Sequence, residues 1–354
     1  MLNNSPHLRR IIKRGLTLID PLTSAYETEE KTLNIFEFLL AEPYSTITGY
    51  FLDNKYEEII PVDSESGLFL PRIPVLKRPG SGDMKKMIIE DKIIIPSKGT
   101  ILTGGEGDPE QPLILLSIAC FSLFVKFFHL ILTRKKEGTL SAGDFDYIDR
   151  IRMHEYRYTP LTPGPVNKNK VKDKNIPAVI AAAGREIVSE KLVDSIFGNI
   201  SVHENNDVYI TKAGSFLDDL AGQIVKVPLN GIIDNNLKPS SEIEVHRNIY
   251  KASDYNCIIH GHPLFTVILS LDNEGTGDTL KMPAGESIPV IDGEYETGES
   301  TLAESVPSVL NKNGNVIVKG HGIFSAGRQD FSNVLQNIKD IENYSREEYF
   351  RRLK

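Results

Sequence analysis

Ile258-Ile259-His260-Gly261-His262 is the stretch that decides how the chain is interpreted. Its β-branched beginning predicts a strand. Residues two apart on a strand point to the same face, so His260 and His262 are expected to lie side by side. Neutral imidazole is a common ligand for zinc and similar divalent metals. The stretch therefore predicts two ligands of one metal ion.

A third histidine completes the predicted site. NVIVKGHG, at residues 315–322, predicts a second strand that ends near His321. Three protein ligands with one open position are typical of a catalytic zinc. His260, His262 and His321 are thus predicted to hold Zn²⁺ or another divalent ion such as Co²⁺, Mn²⁺, Fe²⁺ or Ni²⁺. The alternative is that each histidine is a satisfied core residue, which is the more common case for a lone histidine.

Glu242 lies in the sequence Pro-Ser-Ser-Glu, where a helix is predicted to begin with Ser240 as its N-cap. The positive end of a helix dipole favours a carboxylate. Taken alone, the sequence predicts a simple cap. Beside a metal site, Glu242 is instead predicted to be a fourth ligand or a proton carrier.

Small polar residues near predicted helix and loop starts form a further group. They are Gly198-Asn199-Ile200-Ser201, Gly214-Ser215 and Ser240-Ser241. Backbone N–H groups and hydroxyls placed in this way can hold a phosphate. Turns use the same residue types, so a purely structural role is the alternative.

The composition is that of a soluble protein of a reducing cytoplasm. The chain has 354 residues, of which 40% are hydrophobic and 25% charged, enough for one large or two medium domains. A net charge of −8 gives no broad basic surface, so no nucleic-acid partner is predicted. Cys120 and Cys257 do not make a disulfide framework, and residues 1–15 lack the apolar core of a signal peptide.

Residues 113–132, LILLSIACFSLFVKFFHLIL, are long and apolar enough to span a membrane. Lys126 and His129 lie inside this run, and charge is costly in a bilayer. The expected structure is therefore a helix buried against a partner domain or subunit, and a membrane partner is not expected.

Composition divides the chain into three regions. Residues 1–140 end with the apolar run and a basic cluster. Residues 141–175 are predicted to be a linker because TPLTPGPVNKNKVKDKN, at 159–175, is rich in proline and lysine. Residues 176–354 alternate between predicted helices and strands and are expected to form the catalytic domain.

The first region matches part of the third in pattern. KIIIPSKGTILTGG (92–105) matches NVIVKGHGIFSAGR (315–328), and the sequence Ile-Pro-Val recurs at 73–75 and 288–290. In the same comparison Thr48-Gly49-Tyr50 takes the place of His260-Gly261-His262, and Lys98 that of His321. Residues 1–140 are therefore predicted to be a degenerate half-repeat without metal ligands, although a chance match is the alternative.

Five segments follow one another in order within residues 176–354. They are GREIVSEKLVDSIFGNISV, VYITKAG, KPSSEIEVHRNIY, IIHGHP and VIVKGHGIFSAG. Together they resemble the class II aldolase/adducin family, which includes fuculose-phosphate aldolases, epimerases, dehydratases and the non-enzymatic adducin heads. The resemblance implies an α/β fold class: a three-layer α/β/α domain with a mostly antiparallel central sheet, accompanied here by a smaller N-terminal α/β region.

The same resemblance implies roles for individual residues. It places the metal on the three histidines and makes Glu242 the catalytic acid/base. Asn199, Gly214, Ser240 and Ser241 match the family's phosphate-binding positions. Ala213 departs from the family's usual Ser or Thr, and either Lys212 or Ser215 is a possible replacement.

The function that the resemblance implies is a metal-dependent lyase. It would cleave a carbon–carbon bond (retro-aldol) in a small sugar or sugar phosphate through a metal-stabilised enediolate. A homo-oligomer, dimer or tetramer, is expected as in the family. Two alternatives stay open: an epimerase, dehydratase or decarboxylase that uses the same metal site, and a non-catalytic, adducin-like assembly protein.

Overall fold

A computed structural model gives the structure of residues 24–27, 32–76, 81–106, 110–155, 175–194, 196–272, 279–283, 285–292, 301–328 and 330–354. The chain divides into two compact units, residues 1–159 and residues 160–354. Most of the proline- and lysine-rich stretch at 159–175 lies outside the described residues.

The first unit is built on a four-stranded antiparallel sheet in the order β1-β2-β6-β5. Its strands are β1 (Ser24–Glu27), β2 (Thr32–Leu39), β5 (Ile93–Ser97) and β6 (Thr100–Glu106). A short pair accompanies it, formed by β3 (Glu58–Ile59) and β4 (Ile73–Pro74). Just after β4, Val75 makes a parallel bridge to Ile95 and so extends the sheet beside β5.

The described residues of the first unit form five helices: α1 (Tyr44–Asp53), α2 (Ser64–Phe69), α3 (Ser81–Asp91), α4 (Gln111–Lys136) and α5 (Ala142–Glu155). Helix α4 contains the predicted apolar run and packs against β2, β6, α1 and α2 of its own unit. The expectation that this run is buried by a partner domain or subunit was therefore wrong. A four-stranded sheet needs an apolar layer, and α4 supplies it.

Length and composition alone would also let α4 cross a membrane. In its most apolar 18-residue window, 78% of the residues are buried within the protein, as in the core helix of a soluble protein. The apolar residues of α4 are thus explained by packing inside the first unit.

Helix α5 corrects the predicted linker, because residues 142–155 of that linker are helical. Ile148 and Ile151 are buried, three residues apart on one face. Asp144 is buried as well, and its carboxylate accepts hydrogen bonds from Arg134 (2.7 Å) and from the Tyr50 hydroxyl (2.9 Å). This ion pair and these apolar contacts fix α5 to the unit.

The second unit is built on an eight-stranded sheet in the order β11-β12-β13-β14-β10-β7-β8-β9. All neighbouring strands are antiparallel except β12 and β13, which are parallel. The strands are β7 (Asn199–Glu204), β8 (Asp207–Thr211), β9 (Ile224–Pro228), β10 (Cys257–Gly261), β11 (Thr279–Lys281), β12 (Ser287–Ile291), β13 (Asn315–Val318) and β14 (Gly322–Gly327). The mostly antiparallel sheet agrees with the predicted fold class.

In the described part of this unit, five α-helices accompany the sheet: α6 (Ile176–Ser189), α7 (Ile243–Ala252), α8 (Leu264–Leu271), α9 (Thr301–Asn313) and α10 (Ser332–Leu353). A 3₁₀ turn covers Asn235–Leu237. Residues of α7 and α9 form one buried cluster with alternate sheet residues such as Ile258 and Phe324. On the opposite sheet face, Gly261 lies against Ile187 of α6. The sheet therefore lies between two helical layers.

One buried ion pair links two helices of the second unit. Lys339 of α10, which is 2% exposed, donates hydrogen bonds to Glu186 (3.3 Å) and Glu190 (3.0 Å). Glu186 lies on α6, and Glu190 directly follows that helix. Two carboxylates thus balance one buried ammonium group, as a charge removed from water requires.

The structure corrects two details of the sequence interpretation. Helix α7 begins at Ile243, with Glu242 rather than Ser240 at the N-cap position. Thr48-Gly49-Tyr50 lies inside helix α1, whereas His260 and Gly261 lie on strand β10. That residue-by-residue match was therefore wrong, because it aligned a helix with a strand.

Candidate metal centre

The three predicted histidines converge on one point of the second unit. His260 lies on β10, His262 follows that strand directly, and His321 precedes β14. One ligand nitrogen from each ring lies within 4.8 Å of the other two. All three residues are at most 2% exposed. Three buried imidazoles that face one another can surround a single ion.

Hydrogen bonding leaves a ring nitrogen of His260 available for an ion. The Nδ1–H of His260 can donate to the carbonyl oxygen of Ile323 at 3.0 Å. This arrangement leaves the lone pair of Nε2 directed at the ring of His321, whose Nε2 is 2.9 Å away. An outer-shell carbonyl of this kind typically orients a metal-binding histidine. Nδ1 of His262 is buried without a partner among the described residues, so a further nitrogen of the cluster is unsatisfied.

Glu242 lies against the same cluster. Its Oε1 is 3.2 Å from Nε2 of His321, and its Oε2 is 3.5 Å from Nε2 of His260. Only 14% of the Glu242 side chain is exposed. The N-cap position explains the geometry, since Glu242 makes no side-chain cap bond to its own helix and is free to face the histidines.

The electrostatics favour neutral rings of His260 and His262 beside an ionised carboxylate. Burial lowers the pKa of His260 to about 4 and lowers that of His262 well below its usual value. For Glu242, burial alone would raise the pKa, but the imidazoles of His260 and His321 and the amide of Asn199 lower it overall. A carboxylate beside three imidazoles forms a donor set that suits a divalent cation.

A glycine is required where two of the ligand-bearing segments meet. A Cβ at Gly322 would lie 2.3 Å from the carbonyl oxygen of Gly261 and 3.1 Å from Cε1 of His260. Any side chain there would separate β10 from β14 and move His260 away from His321. The His-Gly pattern at residues 321–322 is thus a packing requirement of the site.

The predicted phosphate-binding residues lie on two adjoining segments. The N–H of Ser240 donates to the carbonyl of Thr211, and Lys212 makes a bridge to Pro239. Gly214 ends the first segment with a φ of +71°. The segments therefore run side by side next to the N-cap of α7.

The individual candidates differ in their surroundings. Asn199 donates a hydrogen bond from Nδ2 to Glu242, while its Oδ1 is buried without a partner in the described part of the chain. Ser240 is buried, and its Oγ accepts from the N–H of Glu242 at 3.3 Å. Ser241 is exposed. Asn199 and Ser240 thus contact Glu242 directly, whereas Ser241 faces solvent.

Comparison with known proteins identifies the family. The "Class II Aldolase and Adducin N-terminal domain" family matches residues 178–349. An L-fuculose phosphate aldolase of Methanocaldococcus jannaschii is 34% identical over 150 residues, which are 41% of this chain and 80% of that protein. The chain belongs to the class II aldolase and adducin family.

Other members of the class II aldolase and adducin family carry different names. A 3-oxo-tetronate 4-phosphate decarboxylase of Pectobacterium atrosepticum is 28% identical over 157 residues, covering 41% of this chain and 70% of that protein. The crystal structure of an L-fuculose-1-phosphate aldolase from Thermus thermophilus is 24% identical, with a TM-score of 0.43 and coverage of 50% of this chain and 93% of that one. Family membership supports a lyase-type enzyme and leaves the reaction open.

Sequence reasoning missed a set of buried polar residues behind Glu242. Oγ of Ser201 lies 2.6 Å from Nδ1 of His246 and 2.6 Å from the hydroxyl of Tyr250. His246 and Tyr250 follow Glu242 at intervals of four residues on α7. This spacing, which puts side chains on one helix face, is a signal that the sequence offered.

Proposed function

We propose that this family member is a metal-dependent lyase that cleaves a carbon–carbon bond in a small sugar or sugar phosphate. The observation that carries the proposal is the buried meeting of three imidazoles with an ionised carboxylate, Glu242, at one point. Relatedness to an L-fuculose phosphate aldolase supports this reaction type.

His260, His262 and His321 would hold the ion. A divalent metal bound there would act as a Lewis acid toward substrate oxygens and would stabilise negative charge that develops during bond cleavage. The rings are buried and fixed by strand ends, so they present their nitrogens without reorganisation. Burial also excludes bulk water from the histidine side of the reacting centre.

Glu242 would be the proton carrier. Its lowered pKa keeps the carboxylate ionised near neutral pH, so it begins the reaction as a base. The hydrogen bond from Nδ2 of Asn199 to Oε2 holds one oxygen in place. The other oxygen, 3.2 Å from His321, lies beside the reacting centre and can transfer the proton to or from the substrate carbon.

The phosphate group of a substrate would lie between the segments that end at Gly214 and Ser240. Of the two residues that could replace the hydroxyl lost at Ala213, Lys212 donates its ammonium to the carbonyl of Gly222 at 2.9 Å. Ser215 is 7% exposed, and its Oγ has no partner among the described residues. These contacts favour Ser215 over Lys212 as the replacement.

A decarboxylase is the second candidate function, favoured by the similarity to a 3-oxo-tetronate 4-phosphate decarboxylase. Cleavage of a carboxyl group from a 3-oxo acid needs the same stabilisation of negative charge on a neighbouring oxygen. The two reactions differ in product, since a lyase of the aldol type releases an aldehyde and a decarboxylase releases carbon dioxide.

An assembly role like that of adducin is the third candidate. A pure scaffold has no physical need for a buried carboxylate that faces three buried imidazoles, because such groups are costly to remove from water. We therefore place it last. We further propose a cytoplasmic homo-oligomer because the family resemblance implies one, and the burial of α4 within its own unit fits a soluble protein.

The experiment combines metal analysis with a product assay on matched variants. The full-length wild type is expected to bind about one divalent ion per chain and to release an aldehyde from a ketose phosphate. Glu242→Gln should keep the ion and lose about 10²- to 10⁴-fold in kcat, since it removes the proton carrier. Glu244→Gln, two residues further on, should change neither.

Two results would contradict the proposal. If Glu242→Gln retains full kcat, the carboxylate has no role in proton transfer. If the wild type cleaves no ketose phosphate but releases carbon dioxide from a phosphorylated 3-oxo acid, the decarboxylase candidate replaces the aldol-type lyase. A metal-free and fully folded wild type, even after reconstitution with each candidate ion, would leave the scaffold as the surviving candidate.

A further inference from the structure

Strand β7 and helix α7 face each other through three successive polar contacts, here called the polar ladder. Asn199, Ser201 and His203 alternate along β7 and therefore share one sheet face. Glu242, His246 and Tyr250 are spaced by four and share one face of α7 and its cap. Every second side chain of the strand therefore faces every fourth side chain of the helix.

Each step of the polar ladder is a defined contact. Nδ2 of Asn199 donates to Oε2 of Glu242. Oγ of Ser201 lies 2.6 Å from both Nδ1 of His246 and the Tyr250 hydroxyl. The ring of His203 stacks on that of Tyr250 with centroids 5.1 Å apart. Ser201 is the centre, since one hydroxyl serves two helix residues.

We propose that Ser201 and His246 are positioning residues for Glu242, holding helix α7 in the one register that directs this carboxylate at the three histidines. The proposal rests on the role given to Glu242 above. It adds two residues that touch no reacting atom and act through the helix.

Burial makes the register specific. Ser201 and His246 are 0% exposed, and Tyr250 is 3% exposed. A shift of the helix by one residue would rotate it by about 100° and move it by about 1.5 Å, which would break every contact of the ladder. Each buried polar group left unpaired would keep its desolvation cost without a compensating hydrogen bond. No slide or rotation of α7 is therefore tolerated.

The connection from the ladder to Glu242 is short and rigid. The backbone N–H of His246 donates to the carbonyl of Glu242 at 3.2 Å, so the N-cap residue belongs to the first hydrogen-bonded turn. On its other side the His246 ring meets Phe324 edge-on at 6.0 Å, and Phe324 stacks on His260 at 4.1 Å. His246 thus lies between the hydroxyl of Ser201 and the ring layer that supports a ligand histidine.

The test compares Ser201→Ala with Ser325→Ala in the full chain. Ser325 is an equally buried strand serine, 0% exposed, whose Oγ donates to Asn315 at 2.6 Å. It is adjacent in β14 to Phe324 and so faces away from α7. Both variants lose one buried hydroxyl from the same sheet, so a loss of stability alone affects both alike.

Two readouts separate positioning from stability. Ser201→Ala is expected to lower kcat by about 10- to 100-fold with little change in KM, as loss of an outer-shell partner does. When Co²⁺ alone is loaded, its visible absorption should move from the wild-type spectrum toward that of Glu242→Gln. Ser325→Ala should keep the wild-type kcat and spectrum.

A second pair of variants distinguishes the positioning role from a simple folding defect. Asparagine can place a polar atom near the position of Nδ1, so His246→Asn should recover most of the kcat that His246→Leu loses. If Ser201→Ala matches Ser325→Ala in kcat and cobalt spectrum, the positioning role is wrong. If the wild type cleaves no ketose phosphate but the Ser201→Ala spectrum still moves toward that of Glu242→Gln, the polar ladder stands and the lyase assignment fails.

Discussion

The sheet of the first unit and part of the second unit's sheet have the same strand order. They differ in the first connection, since β2 is the next element after β1, whereas β8, β9 and α7 lie between β7 and β10. In the second unit, β7, β10, β14, β13 and β12 are neighbours, and helices follow β10, β12 and β14. In the first unit, β1, β2, β6 and β5 are neighbours in the same way, and Val75 takes the edge position beside β5. Helices follow β2, β4 and β6 along the chain. This correspondence supports our proposal that residues 1–140 are a degenerate half-repeat.

Individual backbone contacts agree between the β5–β6 hairpin and the β13–β14 hairpin, and in the strand beside each. Gly104 N–H donates to Lys92 O at 2.8 Å, and Ala326 N–H donates to Gly314 O at 2.8 Å. Lys92 and Gly314 both have positive φ, 62° and 70°. Val75 bridges Ile95 as Val290 pairs with Ile317. The sequence comparison was one residue out in the hairpin, since Gly105 rather than Gly104 corresponds to Gly327.

The two halves differ at the ligand positions. Glu37 pairs with Leu102 where His260 pairs with Phe324, so Glu37 takes the place of His260. Two residues on, Leu39 takes that of His262. The hairpin turn is Lys98-Gly99 in the first unit and Lys319-Gly320-His321 in the second. The strand arrangement of this half thus forms in the first unit without histidines at the corresponding positions.

Metal binding should show the largest difference between the halves when corresponding positions are changed to alanine. His260→Ala is expected to weaken metal binding by more than the ~10- to 100-fold loss caused by removing an outer-shell partner. Glu37→Ala should leave metal content and activity unchanged. Elemental analysis of both purified variants checks this. Equal metal loss in the two would mean that the first unit contributes to binding.

Acidification should affect the two units in opposite directions. In the metal-free protein, burial lowers the folded-state pKa of His260 to about 4 and of His246 to about 3, from an ordinary 6.5. The unfolded state therefore takes up protons first, and stability falls as pH drops from 6.5 toward 4, by up to about 1.4 kcal/mol per pH unit for each histidine.

Asp63 of the first unit behaves in the reverse way. Burial raises its pKa to about 6 from 3.8, so its contribution is present below 3.8 and is lost as pH rises through 6. Urea unfolding at about pH 7 and about pH 5 measures both changes in stability. Hydrogen exchange of peptides from each unit, followed during the unfolding, assigns each change to its unit. Asp63→Asn should abolish only the gain in the first unit. Equal responses of the two units to pH would refute the prediction.

The smallest expected effect is a loss of stability that should be of similar size in both halves. A Cβ at Gly327 would lie 2.5 Å from Cγ2 of Val334, and one at Gly105 would lie 2.6 Å from Cδ of Pro112, in each case seven residues further on. Gly105→Ala and Gly327→Ala should each destabilise the unit that contains the change by about 1–3 kcal/mol through overpacking. Denaturant unfolding measures both. A large cost in one unit and none in the other would argue against the half-repeat.

The sequence was sufficient for the fold class and for the meeting of the three histidines. Strand alternation and the His-Gly-His spacing carry that information locally. It was insufficient for α4, because an apolar run looks alike whether a partner or its own sheet covers it. The residue match at Thr48-Gly49-Tyr50 failed because similar letters occur in a helix and a strand. The polar ladder depends on contacts between segments 45 residues apart, such as Ser201 and His246, which one sequence does not reveal.

The buried ion pair of Lys339 has a chemical consequence. An amine that is 2% exposed and bonded to Glu186 and Glu190 is shielded from acylating reagents, whereas surface lysines react freely. Lys339 can be modified only when α10 separates from α6. The acylation rate of this one side chain therefore measures how often that helical layer opens, in a protein that carries no substitution and no attached label.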